Sequence, residues 1–204
     1  MKQICEIKKL TGGRYLVLLE DESMFPLYAK ELEEFGIKEE GYLGEREIER
    51  IFREILPKRS KLCAMHFLQS TDRTEYQLRK KLESLFYPED IIEEAVSYVK
   101  KFHYIDDMRY AVNYLECHKD SKSMRQLEQE LYKKGISRET FQEAAERSEF
   151  PEETEQIRYW LEKKHYTGQG AEKKETEKIC RFLLRKGYRM SDIQKVIRCD
   201  DLYE

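Results

Sequence analysis

Hydrophobic positions along this chain change period early. The runs QICEIKKL and YLVLLE flank the turn TGGR, which predicts a β-hairpin. A third run, ESMFPLYA, predicts a short edge strand, because Pro26 has no N–H to give to a ladder. Lys30–Phe35 predicts a short helix stopped at Gly36. EREIERIFREIL then carries Ile48, Ile51, Phe52 and Ile55 at helical spacing, and Pro57 is expected to close it. Beyond that point the spacing is helical throughout. Pro57, Pro88 and Pro151 stand where helices are expected to begin, and carboxylates that suit the positive end of a helix dipole follow Pro88 and Pro151 at once.

The helical part repeats itself. TEYQLRKKLESLFYPEDIIEEA (74–95) aligns without a gap on SMRQLEQELYKKGISRETFQEA (123–144): Leu78 falls on Leu127, Leu82 on Leu131, Ile92 on Phe141 and Ala95 on Ala144. Both copies open with a capping-box pattern, Thr74 with Gln77 and Ser123 with Gln126. A third copy, ETEKICRFLLRKGYRMSDIQKV (175–196), follows after a polar loop containing TGQG and lacks the box. An amphipathic helix precedes each copy: Lys58–Gln69, Met108–His118 and Glu152–Lys164. One such unit has too small a core to be secure alone, so neighbours are expected to pack in a row. The expected fold is mainly α: three tandem three-helix repeats forming an elongated, curved molecule, preceded by a small N-terminal β-hairpin module. The expected boundaries are 1–56 for the module and 57–107, 108–150 and 151–204 for the repeats.

The stretch HYIDDMRYA, His103–Ala111, gathers a histidine, two aspartates and an arginine. Its place between two helices makes it a joint. Asp106 or Asp107 would cap the next helix, and Tyr104 and Ile105 would pin the linker by apolar contact.

Composition removes several classes of function. The five cysteines and four histidines are scattered without ligand spacing, so reduced buried thiols are expected and a metal is not. No Gly-rich phosphate loop of the G-x-x-x-x-G-K-S/T type and no nucleophile elbow occurs, so neither an enzyme nor a cofactor is expected. No apolar run approaches the roughly 18 residues that span a bilayer, and charges interrupt the start of the chain, which points to the cytoplasm and away from a membrane. Net charge is only −3, so composition announces no nucleic-acid partner. Basic side chains nonetheless recur on the second helices: Arg79, Lys80 and Lys81 in the first repeat; Arg125, Lys133 and Lys134 in the second; Arg181, Arg185 and Lys186 in the third. They read as a stripe for phosphates or an acidic groove, although cations near helix C-termini also complement the dipole. Tyr76, Tyr98, Tyr104, Tyr110 and Tyr114 are read as packing residues rather than stacking platforms. Trp160, with Ile157 and Leu161, is read as core of the third repeat.

Once the repeat is seen, the chain resembles the RecX family of regulators of the RecA recombinase. YIDDMRYA (Tyr104, Ile105, Asp106, Asp107, Met108, Arg109, Tyr110, Ala111) looks like that family's Tyr-Leu-Asp-Asp followed by an Arg-Phe-Ala or Arg-Tyr-Ala step. TDRTEYQLRKKL (71–82) and MRQLEQELYKKGI (124–136) resemble its Leu-rich, Lys-ending segments. His103 stands where glycine is common in the family, and the third repeat is degenerate. The resemblance implies a non-enzymatic, monomeric protein that lies in the groove of the RecA–single-stranded DNA filament. There it would modulate ATPase and strand exchange, usually by inhibition, in DNA repair, homologous recombination and the SOS response. It also implies weaker binding to single-stranded DNA, with double-stranded DNA left open. The alternative is a direct DNA-binding protein with helix–turn–helix-like repeats, against which the neutral helical body argues.

Overall fold

The computed structural model describes residues 1–166, 168 and 173–200, with side chains up to Ile197. The TGQG loop (167–170), apart from Gly168, and the Cys199 side chain lie outside the described residues. The chain forms two compact units, Met1–Asp106 and Asp107–Glu204.

The first unit opens with an antiparallel sheet of β1 (Lys2–Lys9), β2 (Arg14–Leu19), β3 (Met24–Tyr28) and β4 (Tyr42–Leu43), in the order β3-β2-β1-β4. The expected hairpin is β1–β2, turning through Gly12 and Gly13, both at φ +72°. β3 lies at an edge, as Pro26 requires. The two-residue β4 carries no readable period and was not expected. Ile4, Val17, Leu19, Phe25 and Leu27 are all buried. Helix α1 (Ala29–Glu34) stops at Gly36, φ +63°, and the Ile37 N–H donates to the Leu32 carbonyl at 2.8 Å.

Pro57 does not close the next helix. α2 (Glu45–Arg50) runs through a π-helical turn, Ile51–Ile55, into α3 (Leu56–Gln69) without a break. Proline removes one i→i−4 bond and crowds the carbonyl four residues back, and a widened turn relieves both effects. The widening also serves the core. Residues five apart on an α-helix point about 140° apart, yet Ile51 and Leu56 are both 0 % exposed. Arg59, on α3, ties this helix to the sheet. Its guanidinium donates to Glu31 at 2.6 Å, to the Pro26 carbonyl and to the Tyr87 hydroxyl at 3.3 Å, and lies 5.0 Å from the centre of the Tyr28 ring. One hydrophobic core accordingly runs from the strands through α3, α4 (Glu75–Glu83) and α5 (Glu89–Lys101) to Ile105.

The second unit holds α6 (Asp107–His118), α7 (Met124–Lys133), α8 (Arg138–Glu146), α9 (Glu153–Lys163), α10 (Lys173–Arg185) and α11 (Met190–Asp200). The repeat is explicit: the first helix of each trio packs on the third, α3 on α5, α6 on α8 and α9 on α11. Aligned positions of the second helices are buried in every copy: Leu78 and Leu82, Leu127 and Leu131, Ile179 and Leu183. Here α6–α8 and α9–α11 keep separate cores. Hydrogen bonds join them: Gln156 Nε2 donates to the Lys119 carbonyl at 2.5 Å, Trp160 Nε1 to that of Ser121 at 3.2 Å, and Ser123 Oγ to that of Lys186 at 2.7 Å.

Two local expectations are corrected. The Thr74–Gln77 capping box is complete, but the Ser123 one is half made: Ser123 Oγ accepts from the Gln126 N–H at 3.2 Å, while the Gln126 side chain turns to Glu130. The Ser123 hydroxyl accepts from Gln126 and donates to Lys186 at once, so the lost half of the box is due to the Gln126 side chain alone. The thiols expected to be buried are not: Cys5 and Cys117 are exposed, and Cys63 and Cys180 are half-buried.

Gly187 tests the joint between the last two repeats. It has φ +92°, and a Cβ there would lie 2.5 Å from Ser123 Oγ. Gly187→Ala should lower stability by about 2 kcal/mol, the left-handed cost of a side chain plus displacement of Ser123. Urea unfolding checks this against His103→Gly. That change relieves an exposed left-handed residue (φ +56°) and should raise stability by about 0.5 kcal/mol.

Candidate interaction surface

HYIDDMRYA lies where one helix ends and the next begins. After α5 ends at Lys101, the His103 N–H donates to Lys100 O at 2.9 Å and the Tyr104 N–H to Val99 O at 2.9 Å. Ile105 belongs to the core of the first unit, and Ala111 to that of α6–α8. α6 begins at Asp107, so Asp106 stands at its threshold. Tyr104, Asp106 and Arg109 are exposed, and Asp107 and Tyr110 are half-buried. The segment links the last helix of one unit to the first helix of the next.

The predicted basic residues fall into different electrostatic settings. In the first repeat they are largely neutralised. Arg79 pairs with Glu75 at 2.9 Å and Glu93 at 2.7 Å, and Lys80 pairs with Glu83 at 2.7 Å, while Lys81 is exposed. In the second, Arg125 and Lys133 are exposed, and the Lys134 ammonium lies 5.4 Å from the centre of the Tyr114 ring. In the third, Arg181 meets Glu177 at 3.3 Å, Arg185 is exposed, and the Lys186 ammonium sits 4.0 Å from the centre of the Trp160 ring.

Around Trp160 the structure assembles what the sequence did not reveal. Tyr159, Trp160 and Phe182 meet edge to face, each step 5.5 Å between ring centres. Lys163 lies 5.2 Å from the centre of the Trp160 ring and Lys164 5.0 Å from that of Phe182. Such cation–π contacts hold an ammonium without neutralising it. Trp160 is therefore half-buried beside its core rather than inside it. The signal was the Tyr-Trp-Leu-Glu-Lys-Lys sequence of 159–164, which puts lysines three and four residues beyond the rings. The third cation, Lys186, however, comes from just past α10, which no local pattern reveals.

Beside this cluster the tyrosines behave mainly as packing residues with one polar tip in use. Tyr114 stacks on His118, ring centres 4.2 Å apart, and its hydroxyl donates to Glu130 at 2.6 Å. Tyr76 and Tyr104 are exposed instead. Burial works to raise the Glu130 pKa, but hydrogen bonds from Lys122, Tyr114 and Gln126 prevail and hold it below the usual carboxylate range. Glu75 behaves alike, lowered against burial by Lys100 and Arg79. Burial lifts the Tyr188 hydroxyl to about 12. No group of three metal-ligating side chains occurs among the described residues, and no described helix is long and apolar enough to cross a membrane.

The class of protein that the fold defines is a tandem array of three-helix units, and comparison with known proteins specifies it. Residues 61–98 match the first three-helix domain of RecX, and residues 151–197 match the third. A regulatory protein RecX of Cronobacter sakazakii is 33% identical over 147 residues, spanning 66% of this chain and 88% of the relative. That of Caldanaerobacter subterraneus is 29% identical over 194 residues, 94% of this chain and 95% of the relative. A crystal structure of regulatory protein RecX superposes with a TM-score of 0.62 at 24% identity, covering 96% of this chain and 98% of the other. That of RecX from Lactobacillus salivarius gives 0.61 at 24% identity, covering 72% and 98%. The chain belongs to the RecX family of regulatory proteins.

The two depressed carboxyls set a pH dependence. Both are lowered on folding, so their contribution is complete above the unfolded glutamate pKa, about 4.3, and is lost as pH falls through the folded values. Urea midpoints between pH 3 and 7 should therefore drop at the acid end. Glu130→Gln should flatten that drop while costing roughly 1 kcal/mol at pH 7.

Proposed function

We propose that this protein binds the RecA–single-stranded DNA filament in its helical groove and inhibits its ATPase and strand exchange. Family membership carries the reading, together with one observation on the chain itself: solvent-facing cations recur at equivalent places on second helices, Lys133 of α7 and Arg185 of α10. Several modest contacts from successive repeats would add as avidity across adjacent filament subunits. The protein contributes no catalytic group and acts as a monomer in the cytoplasm. Its ligands are RecA and, more weakly, DNA.

RecA's single-stranded-DNA-dependent ATPase, titrated with this protein at moderate salt, tests the proposal. Inhibition well below one molecule per RecA subunit is the expected result. No effect beside tight, salt-sensitive DNA binding would favour the direct DNA-binding alternative. The double variant Lys133→Glu/Arg185→Glu should melt like the parent, since both side chains are exposed, and should need several-fold more protein for half-inhibition. Equal potency would remove these two positions from the contact surface.

A further inference from the structure

The lysines around Trp160 are brought together against their mutual repulsion. Lys186 arrives from the end of α10, and Lys163 and Lys164 from the end of α9. Lys122 reaches the neighbourhood from the loop before α7, but Glu130 holds it at 2.6 Å. Among the described residues no salt bridge engages Lys163, Lys164 or Lys186. Burial, and then Lys122, Lys163 and Lys164 acting against Glu130, hold the Lys186 pKa below its ordinary value. The first repeat makes the opposite choice, pairing Lys61, Arg79, Lys80 and Lys100 with carboxylates. Helix-end charge complementarity would account for Lys163 in the last turn of α9. It does not account for two helix ends bringing their lysines onto the same pair of rings.

We infer that Lys163, Lys164 and Lys186, held on the Trp160 and Phe182 rings, form a binding surface for the phosphate backbone of a single-stranded nucleic acid. The surface is extended rather than a point. On α10, Lys174, Lys178 and Arg185 share one face with the Arg181–Glu177 pair, and at 1.5 Å per residue the three lysine and arginine positions cover about 16 Å, enough to follow a strand through successive phosphates. Ammonium groups suit a flexible backbone, because they act as point charges with rotatable donors rather than as planar forks for carboxylates. The Tyr159 ring, 44% exposed beside the lysines, offers a platform for an unpaired base. An acidic peptide would use the charges but not the ring. This surface deepens the filament reading above and rests on it only for where the strand comes from.

Trp160 is the single tryptophan of the chain, so its fluorescence reports on this surface alone. The experiment titrates the full-length protein with an oligodeoxythymidylate and, in a second arm, an oligouridylate, at several salt concentrations. A saturable fluorescence change is expected, with log affinity falling linearly in log salt. Lys163→Glu/Lys164→Glu, both exposed, should weaken binding at least tenfold and reduce the salt slope by about 1.4, the value for two phosphates of a single strand. Lys8→Glu/Lys9→Glu makes the same change in net charge on β1 and should stay within twofold of the parent. The deoxy arm binding more tightly assigns the surface to DNA, and the ribo arm doing so assigns it to RNA. An unchanged Trp160 signal, parent-like binding by the Lys163/Lys164 variant, or displacement of the strand by polyglutamate at equal charge would overturn the inference. A parent that inhibits RecA yet gives no Trp160 signal would sink this surface alone. Binding through Lys163 and Lys164 without any effect on RecA would sink the regulator reading and leave the surface standing.

Discussion

Each three-helix unit depends on stopping its second helix within one residue. α4, α7 and α10 all end by the same device: a left-handed residue, then a large apolar side chain folded back under the helix. Phe86, Gly135 and Gly187 take the left-handed position, at φ +64°, +87° and +92°. Tyr87, Ile136 and Tyr188 follow and are 8%, 2% and 2% exposed. In each, the N–H of that second residue donates to the carbonyl five back, at Leu82, Leu131 and Leu183. Helices of 9 to 13 residues are marginal in water by themselves. Burying the residue after the stop is worth about 1.5–3 kcal/mol each time, and it turns the chain so that the third helix can return against the first. α1 and α9 end the same way at Gly36 and His165, and α5 makes the same backbone turn at His103, although Tyr104 after it is exposed. Glycine is thus the cheapest solution rather than the only one, and packing of the next side chain decides where the turn falls.

The two units solve a second problem differently. In the first, a sheet supplies enough apolar surface for one core, and a largely buried arginine, Arg59, satisfies polar groups from three elements at once. In the second, two cores remain separate and the seam is made of side chains donating to loop carbonyls. Those bonds ask for a fixed loop path between Lys119 and Ser123 more than for particular neighbours. The Ser123 hydroxyl serves both ends of that seam, accepting from the Gln126 N–H and donating to the Lys186 carbonyl, while the other half of the capping box is lost because the Gln126 side chain turns to Glu130.

Much of this was legible in the sequence, because period and caps are local. The β-hairpin, the edge strand with Pro26, the aligned buried positions and the place of HYIDDMRYA between two helices all follow from residues close in the chain. The failures share a cause. Pro57 reads as a helix end only if the helix must stay α, and the π turn at 51–55 appears when the burial of Ile51 and Leu56 together outweighs the ideal ladder. β4 exists because β1 offers an edge, not because Tyr42 and Leu43 announce a strand. Free thiols were expected inside on residue type alone, but Cys5 and Cys117 fall on outward positions of β1 and α6.

The charged residues carry the same lesson into function. A lysine in the sequence is only a potential cation site; its surroundings decide whether the charge is available. Arg79 and Lys80 lie on a second helix as Arg185 does, yet the first pair sits among carboxylates offered by α4 and α5, while Lys186 sits on an indole ring. Carboxylates at three and four residues' distance are visible in a sequence, so the neutral state of the first repeat could have been read from Glu75 and Glu83 beside Arg79 and Lys80. Aromatic support from a different helix could not. A repeat architecture makes that difference possible, since duplicated units keep their buried positions under common packing constraints while their exposed faces vary independently. Exposed cations therefore need not repeat from unit to unit, and among the described residues Lys163, Lys164 and Lys186 meet aromatic rings rather than carboxylates.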